Sequence, residues 1–264
     1  MNATGPRGSL MGEGVADPLV APGKAPRVLA FHGFTGTPQE VALVVDAARE
    51  LGLGAEAPLL PGHGTRVSDL APLRFADWLA AAEAHYARLA AQGPVVVAGL
   101  SMGSLLALQL AANHPDSTVG VIAMSNAMWL KSPWPTWGLR LVDRLRIPDF
   151  WMPKSASNLG DREQRALHLT YNAQPIRAAI SVLRAGEALA EQLHRVQAPT
   201  LLLHGALDAV APVSNAYRVS VRLGALKKRT VILERSHHIL TRDVEREAVR
   251  REISAFLAQL LAGS

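Results

Sequence analysis

Cysteine is absent from all 264 residues. That excludes a disulfide scaffold, a thiolate metal site and a cysteine nucleophile, while leaving the compartment open. Long apolar runs are missing too. No stretch approaches the about eighteen consecutive apolar residues of a membrane-spanning helix, and the opening residues hold no apolar run of signal-peptide length. A cytoplasmic protein with no transmembrane segment is expected. There is no dense basic tract either. The net charge is +5 and the pI about 10.0, yet the positive charge is mostly arginine scattered among acids, and the tightest cluster is Lys227-Lys228-Arg229. This is read as a solvated surface, with no nucleic-acid partner. No internal repeat is visible, and no residue pattern calls for a metal or another cofactor.

What is present is apolar and periodic. With 49% of its residues apolar, the chain is long enough to bury a large core as one α/β domain carrying an insertion. Its centre is Val95-Val96-Val97-Ala98, a buried parallel strand by composition, which runs into Gly99-Leu100-Ser101-Met102-Gly103 and then into helix-forming residues as far as Ala112. Strand, Gly-x-Ser-x-Gly, helix is the context of a nucleophile elbow. A serine there sits on a sharp, strained turn that exposes its Oγ, and only residues lacking a Cβ let strand and helix approach so closely. Ser101 is therefore the candidate nucleophile.

Other segments repeat the strand-then-helix rhythm. Arg27-Val28-Leu29-Ala30-Phe31 reads as a strand ending in His32-Gly33-Phe34-Thr35-Gly36, and Thr37-Pro38-Gln39-Glu40 reads as a capping box opening a helix through Leu51. That loop is where a second oxyanion donor belongs, with the backbone N–H of Phe34 the candidate. His32 precedes the serine, whereas this context puts the catalytic histidine last, so its expected role is to fix the loop. His63, in the turn Pro61-Gly62-His63-Gly64, is expected to pin that turn. Residues 75–92 form an alanine-rich helix with an apolar stripe through Trp78, Ala82, His85 and Leu89. Strands also end at Met124, at Gly205 just before Asp208, and at Leu233 before His237 and His238, and a last helix runs from about Asp243 to Leu261. Alternation of this kind implies an α/β fold with a mostly parallel central sheet and helices on both faces.

Residues 126–196 break the rhythm. Trp129, Trp134, Trp137 and Trp151 fall here, with a stripe Trp137-Leu141-Leu145 and a longer helix from about Pro175 to Arg195. The segment is read as a helical cap over the active-site end of the sheet, and the four tryptophans are its candidate pocket walls. The alternatives are that they only fasten the cap to the core, or that an arginine-fringed lid makes transient contact with a lipid interface. The core is expected over 27–125 and 197–264, with residues 1–26 mostly loosely ordered apart from an edge hairpin around Asp17-Pro18-Leu19-Val20.

A serine hydroxyl needs a base matched to neutral pH, and that imidazole needs a carboxylate to hold its tautomer. Ser101, Asp208 and one of His237 or His238 each stand at the end of an expected strand, and chemistry alone leaves the two histidines unseparated.

The chain from about Leu19 resembles the bacterial carboxylesterase and monoacylglycerol lipase family of α/β-hydrolases. The resemblance rests on His32-Gly33-Phe34-Thr35-Gly36-Thr37-Pro38, Pro61-Gly62-His63-Gly64-Thr65, Asp77-Trp78, the Ser101 pentapeptide, Asp208 with Val210 and Pro212, and Ser236-His237-His238 followed by Thr241 and Asp243. It implies His238 as the catalytic histidine and Phe34 and Met102 as the oxyanion-hole backbone donors. It further implies hydrolysis of small-molecule carboxylic esters with an apolar acyl chain, monoacylglycerols among the candidates, with no cofactor. The same triad also serves C–C hydrolases, perhydrolases and acyltransferases, and a catalytically silent binding module on this fold is the reading from a different class. Ser104 departs from the family, which commonly has glycine there, and is expected to crowd the elbow helix.

Overall fold

In the computed structural model, which describes residues 10–131, 150–154 and 157–262, the valine run is the centre of a seven-stranded sheet. In chain order the early strands are β1 (Leu10–Met11), β2 (Leu19–Ala21), β3 (Lys24–Phe31), β4 (Leu53–Ala57), β5 (Val95–Leu100) and β6 (Thr118–Met124). The later ones are β7 (Trp151–Pro153), β8 (Thr170–Tyr171), β9 (Ala173–Pro175), β10 (Thr200–Gly205) and β11 (Lys228–Leu233). The central sheet runs β11-β10-β6-β5-β3-β4-β2. Every pairing in it is parallel except the antiparallel edge contact of β2 with β4. All six residues of β5 are buried, as expected of a central strand covered on both faces.

The order of strands reverses between β3 and β5. The chain steps outward from β3 to β4, returns on the other side of β3 as β5, and continues through β6, β10 and β11. Such a switch opens a crevice beyond the carboxyl ends of the two strands, where ligands collect. The Gly33 loop and Ser101 lie at those ends. Two apolar layers fill the space on either side of the sheet: one includes Trp78, Tyr86, Leu105 and Leu108, the other Val44, Ala48, Ile253 and Leu257. The helix Met102–Asn113 is buried on nearly every side, which explains why its sequence shows no polar face.

Several expectations are corrected. Most of the stretch before Pro26 was expected to be loosely ordered, with an edge hairpin around Asp17-Pro18-Leu19-Val20. The edge strand β2 lies there, but residues 10–26 also supply β1 and the start of β3, because their backbone groups find partners on β8 and β4. His85 does not belong to the buried stripe of the helix Phe75–Ala90; Tyr86 does. Its hydroxyl satisfies itself on Ser117 Oγ (2.8 Å) and Thr118 Oγ1 (2.7 Å), so a tyrosine can occupy the core. The inserted segment is not wholly helical. Alongside the helices Arg162–Leu167 and Ile176–Ala190, it contains the antiparallel pair β7–β9, while its β8 pairs with β1. The stripe Trp137-Leu141-Leu145, together with Trp134, lies outside the described residues. Among the described residues, no helix is long and apolar enough to cross a membrane.

Candidate active site

Ser101 joins the end of β5 to the helix Met102–Asn113 with φ 57° and ψ −117°, left-handed backbone that a non-glycine residue adopts only under constraint. The constraint is visible in its neighbours. A Cβ on Gly99 would stand 2.0 Å from the Gly103 carbonyl oxygen, and one on Gly103 would stand 2.0 Å from that of Phe31. Neither glycine is replaceable without moving backbone, so the pentapeptide spacing is a packing requirement. Ser104 does not crowd the elbow as expected. Its hydroxyl donates to the Ser101 carbonyl at 2.6 Å.

The structure brings three expected side chains into one chain of hydrogen bonds. Ser101 Oγ is 2.8 Å from His238 Nε2, and His238 Nδ1 is 2.7 Å from Asp208 Oδ2. Because the carboxylate can only accept, Nδ1 carries the proton and Nε2 is left to accept from the serine hydroxyl. Asp208 Oδ1 accepts from the N–H groups of Val210 (2.8 Å) and Ala211 (2.9 Å). Burial alone would push the Asp208 carboxyl up. The electrostatic attraction of the adjacent His238 ring and hydrogen bonds from His204, His238 and the Ala211 N–H outweigh burial and hold it well below the ordinary carboxylate range.

The two histidines left unseparated by chemistry go to different acids. His237 Nδ1 is 3.0 Å from Asp243 Oδ2, which also accepts the His237 N–H at 2.7 Å. Its ring is committed to Asp243, whereas His238 faces the serine.

Phe34 and Met102 both line the cavity beside Ser101. Met102 is the first residue of its helix, so its N–H has no intrahelical acceptor. The Gly33 loop runs directly alongside Ser101, since a Cβ on Gly33 would come within 3.3 Å of Ser101 Cβ. His32 fixes that loop from behind. Its Nε2 accepts the Leu60 N–H (3.1 Å), leaving Nδ1 to donate to the Gly33 carbonyl (2.9 Å), and burial lowers its pKa, keeping the ring neutral. His63 packs edge-on against His32 and Trp78. Burial, reinforced by His32, drives its pKa down to about 3, so the ring is uncharged at neutral pH and pins the turn by donating Nδ1–H to the Pro61 carbonyl at 3.0 Å.

The supporting roles of four residues were not found by reading the sequence. Glu40 does not close a capping box. Thr37 makes no side-chain cap, the first turn is the 3-10 stretch Pro38–Val41, and the α-helix is Ala42–Glu50. The Glu40 carboxylate instead accepts the Gly33 N–H (2.8 Å) and meets His168 Nε2 (2.7 Å) in the interior. His204 Nε2 lies 3.1 Å from Asp208 Oδ2; a histidine closing an apolar strand was the available signal. Asn158 Oδ1 accepts from both the Ala209 N–H and the His238 N–H, each at 3.0 Å, linking the acid loop to the histidine loop. Asp243 Oδ1 accepts the N–H groups of Gly160 (2.9 Å) and Asp161 (3.0 Å). Asn158 and the partners of Asp243 come from the insertion, where no local pattern marks them.

A cavity of about 390 Å³ opens onto Ser101 and His238. Trp129 and Trp151 are not among its lining residues, a correction to the pocket expected from the sequence. Trp129 lies under the Arg218 guanidinium, 3.5 Å from ring centroid to Cζ, and Trp151 packs against the core. Both fasten the insertion, while the apolar wall is made by Leu130, Met152, Ile176, Ile180 and Leu183.

Residues 23–245 match the serine aminopeptidase, S33, family of hydrolases. The chain is 28% identical over 245 residues to the thermostable monoacylglycerol lipase of Bacillus sp. (strain H-257), covering 92% of this chain and 95% of the relative. It is 23% identical to a carboxylesterase of Bacillus subtilis (strain 168), covering 92% of this chain and 96% of that protein. A solved structure from a study of the metagenome-derived lipolytic enzymes LipS and LipT superposes with a TM-score of 0.85 at 26% identity, covering 94% of this chain and all of that one. The chain belongs to the serine aminopeptidase, S33, family and has the α/β-hydrolase fold.

Proposed function

We propose that this protein is a serine carboxylic ester hydrolase working through an acyl-enzyme on Ser101. The observation that carries the reading is the unbroken hydrogen-bond chain from Ser101 through His238 to Asp208, with Ser101 and His238 lining a cavity that has an apolar wall. Ser101 Oγ attacks the ester carbonyl carbon as His238 Nε2 takes its proton. The carbonyl electron pair becomes an oxyanion held by the N–H groups of Phe34 and Met102, each such donor supplying about 3 kcal/mol. Collapse breaks the bond to the alkoxy oxygen, and His238 returns the proton to the leaving alcohol. Water then attacks the acyl-enzyme with His238 again as base, releasing the acid. Asp208 stabilises the imidazolium throughout without itself being protonated.

The substrates are short- to medium-chain acyl esters, monoacylglycerols included. The apolar wall supports an acyl chain, and the full-length likeness to a protein named as a monoacylglycerol lipase supports the glycerol ester. The test is hydrolysis of a chain-length series of p-nitrophenyl esters and of monoacylglycerols by wild type and Ser101→Ala. Loss of the nucleophile costs on the order of a million-fold in such sites, and the variant should also lose labelling by a fluorophosphonate while keeping the wild-type melting temperature. Turnover by Ser101→Ala close to wild type would end the assignment.

A further inference from the structure

The acyl-transfer chemistry leaves Lys154 without a role. It follows β7 directly and lines the cavity, where its Nζ donates to Thr35 Oγ1 at 2.6 Å and Thr170 Oγ1 at 2.9 Å. Thr170 is itself fixed, since its hydroxyl donates to the Thr35 carbonyl at 3.0 Å. Thr35 follows Phe34, so the ammonium is held against the loop that supplies the oxyanion donor.

Both of these hydrogen-bond partners are neutral hydroxyls. Burial pushes the Lys154 pKa down, and Glu40 acts on it in the opposite direction. Glu40, however, is already engaged by the Gly33 N–H and by His168. A second ammonium, Lys131, lines the same cavity and donates to the Asp208 carbonyl at 2.6 Å. The Asp208 carboxylate is in turn taken by His238, His204 and two backbone N–H groups. The cavity wall thus presents two cations, while these two carboxylates are saturated by other groups. A desolvated cation in this position is stabilised by an incoming anion.

We infer that the cavity selects esters bearing a second, anionic group, which binds Lys154 Nζ while the apolar wall takes the hydrocarbon part. This rests on the ester-hydrolase reading and narrows its substrate class. The opposite possibility is that Lys154 only clamps the oxyanion loop to the insertion, in which case removing its charge affects neutral and anionic esters alike.

The experiment compares matched pairs. Mono-p-nitrophenyl hexanedioate against p-nitrophenyl hexanoate places the carboxylate on the acyl side, and 3-(butanoyloxy)benzoate against phenyl butanoate places it on the alcohol side. The readout is the ratio of KM values within each pair. Wild type should favour the carboxylate ester in at least one pair. Lys154→Gln, which keeps an N–H donor for the threonines but no charge, should shrink that ratio about tenfold, the scale of one charged hydrogen bond, while Lys154→Arg should retain most of it. No preference in either pair, or a ratio unchanged by Lys154→Gln, would overturn the inference. Calorimetric binding of monomethyl hexanedioate and methyl hexanoate to Ser101→Ala protein reads the subsite without turnover. Tighter binding of the former, lost on adding Lys154→Gln, supports the subsite even if no ester were hydrolysed, and equal binding counts against it.

Discussion

Glu40→Ala is the most informative perturbation of the support around the site. The carboxylate is buried and holds two groups, the Gly33 N–H at 2.8 Å and His168 Nε2 at 2.7 Å. Truncation leaves both without that acceptor, at about 1–3 kcal/mol each. The pH dependence gives a figure of the same size. Burial raises the Glu40 pKa, but the hydrogen bond and charge of His168, together with the Gly33 N–H, bring it from 4.5 to about 2. A folded-state value that far below the unfolded one is worth about 3 kcal/mol at neutral pH. The contribution is complete above pH 4.5 and disappears as pH falls towards 2. Urea unfolding at pH 7 should therefore show Glu40→Ala less stable by about 3–5 kcal/mol, with a melting temperature lower by roughly 6–15 °C. Glu40→Gln keeps an oxygen for Gly33 and an amide for His168 but not the charge, so at pH 7 it should lose about 3 kcal/mol. The gap between wild type and Glu40→Gln should close between pH 4.5 and 2. Because Gly33 precedes Phe34, kcat should fall more than KM rises in the alanine variant. A Glu40→Ala protein within about 0.5 kcal/mol of wild type, with unchanged kcat, would refute the reasoning.

Two further substitutions probe the proposed triad. Asp208→Asn should lower kcat by about ten-thousand-fold, because an amide donor facing Nδ1 stabilises the wrong tautomer; ester hydrolysis within tenfold of wild type would place the acid elsewhere. His238→Ala should be inactive, whereas His237→Ala should keep kcat within a few-fold and lose stability through its freed partner Asp243. An inactive His237→Ala beside an active His238→Ala would reverse the choice of base.

The elbow was legible because its requirement is local. Glycines at 99 and 103 answer backbone clashes of 2.0 Å, and the β5 valines answer burial on both faces, so pentapeptide and strand are written in neighbouring residues. Asp208 was legible for a similar reason, standing just past the end of β10. The choice between His237 and His238 was not, because it depends on which acid each ring meets, Asp243 or Asp208, thirty positions apart in the case of His238. Glu40 was misread for the same reason. Its spacing from Thr37 fits a capping box, but a buried carboxylate is better satisfied by a backbone N–H and an imidazole brought from position 168 than by the first turn of its own helix. Trp129 and Trp151 were misplaced because composition gives no direction: a tryptophan in an insertion faces cavity or core according to packing that no periodicity encodes.

The groups that sequence reading missed share a geometry that bears on how the insertion works. Glu40 receives Gly33 from the oxyanion loop and His168 from the insertion, and its own carbonyl accepts the Thr241 hydroxyl from the histidine loop at 2.6 Å. Asn158 and Lys154, both from the insertion, reach the acid and histidine loops and the oxyanion loop respectively. The insertion is thus bonded to every loop that carries a proposed catalytic group, except the elbow, which is braced by its own glycines and by Ser104. A cap that merely covered the crevice could shift without disturbing the chemistry. This one cannot move as a body without breaking hydrogen bonds to the His238 N–H and to Thr35 beside Phe34, so binding contacts made on the insertion are coupled directly to the alignment of the proposed base and oxyanion donor.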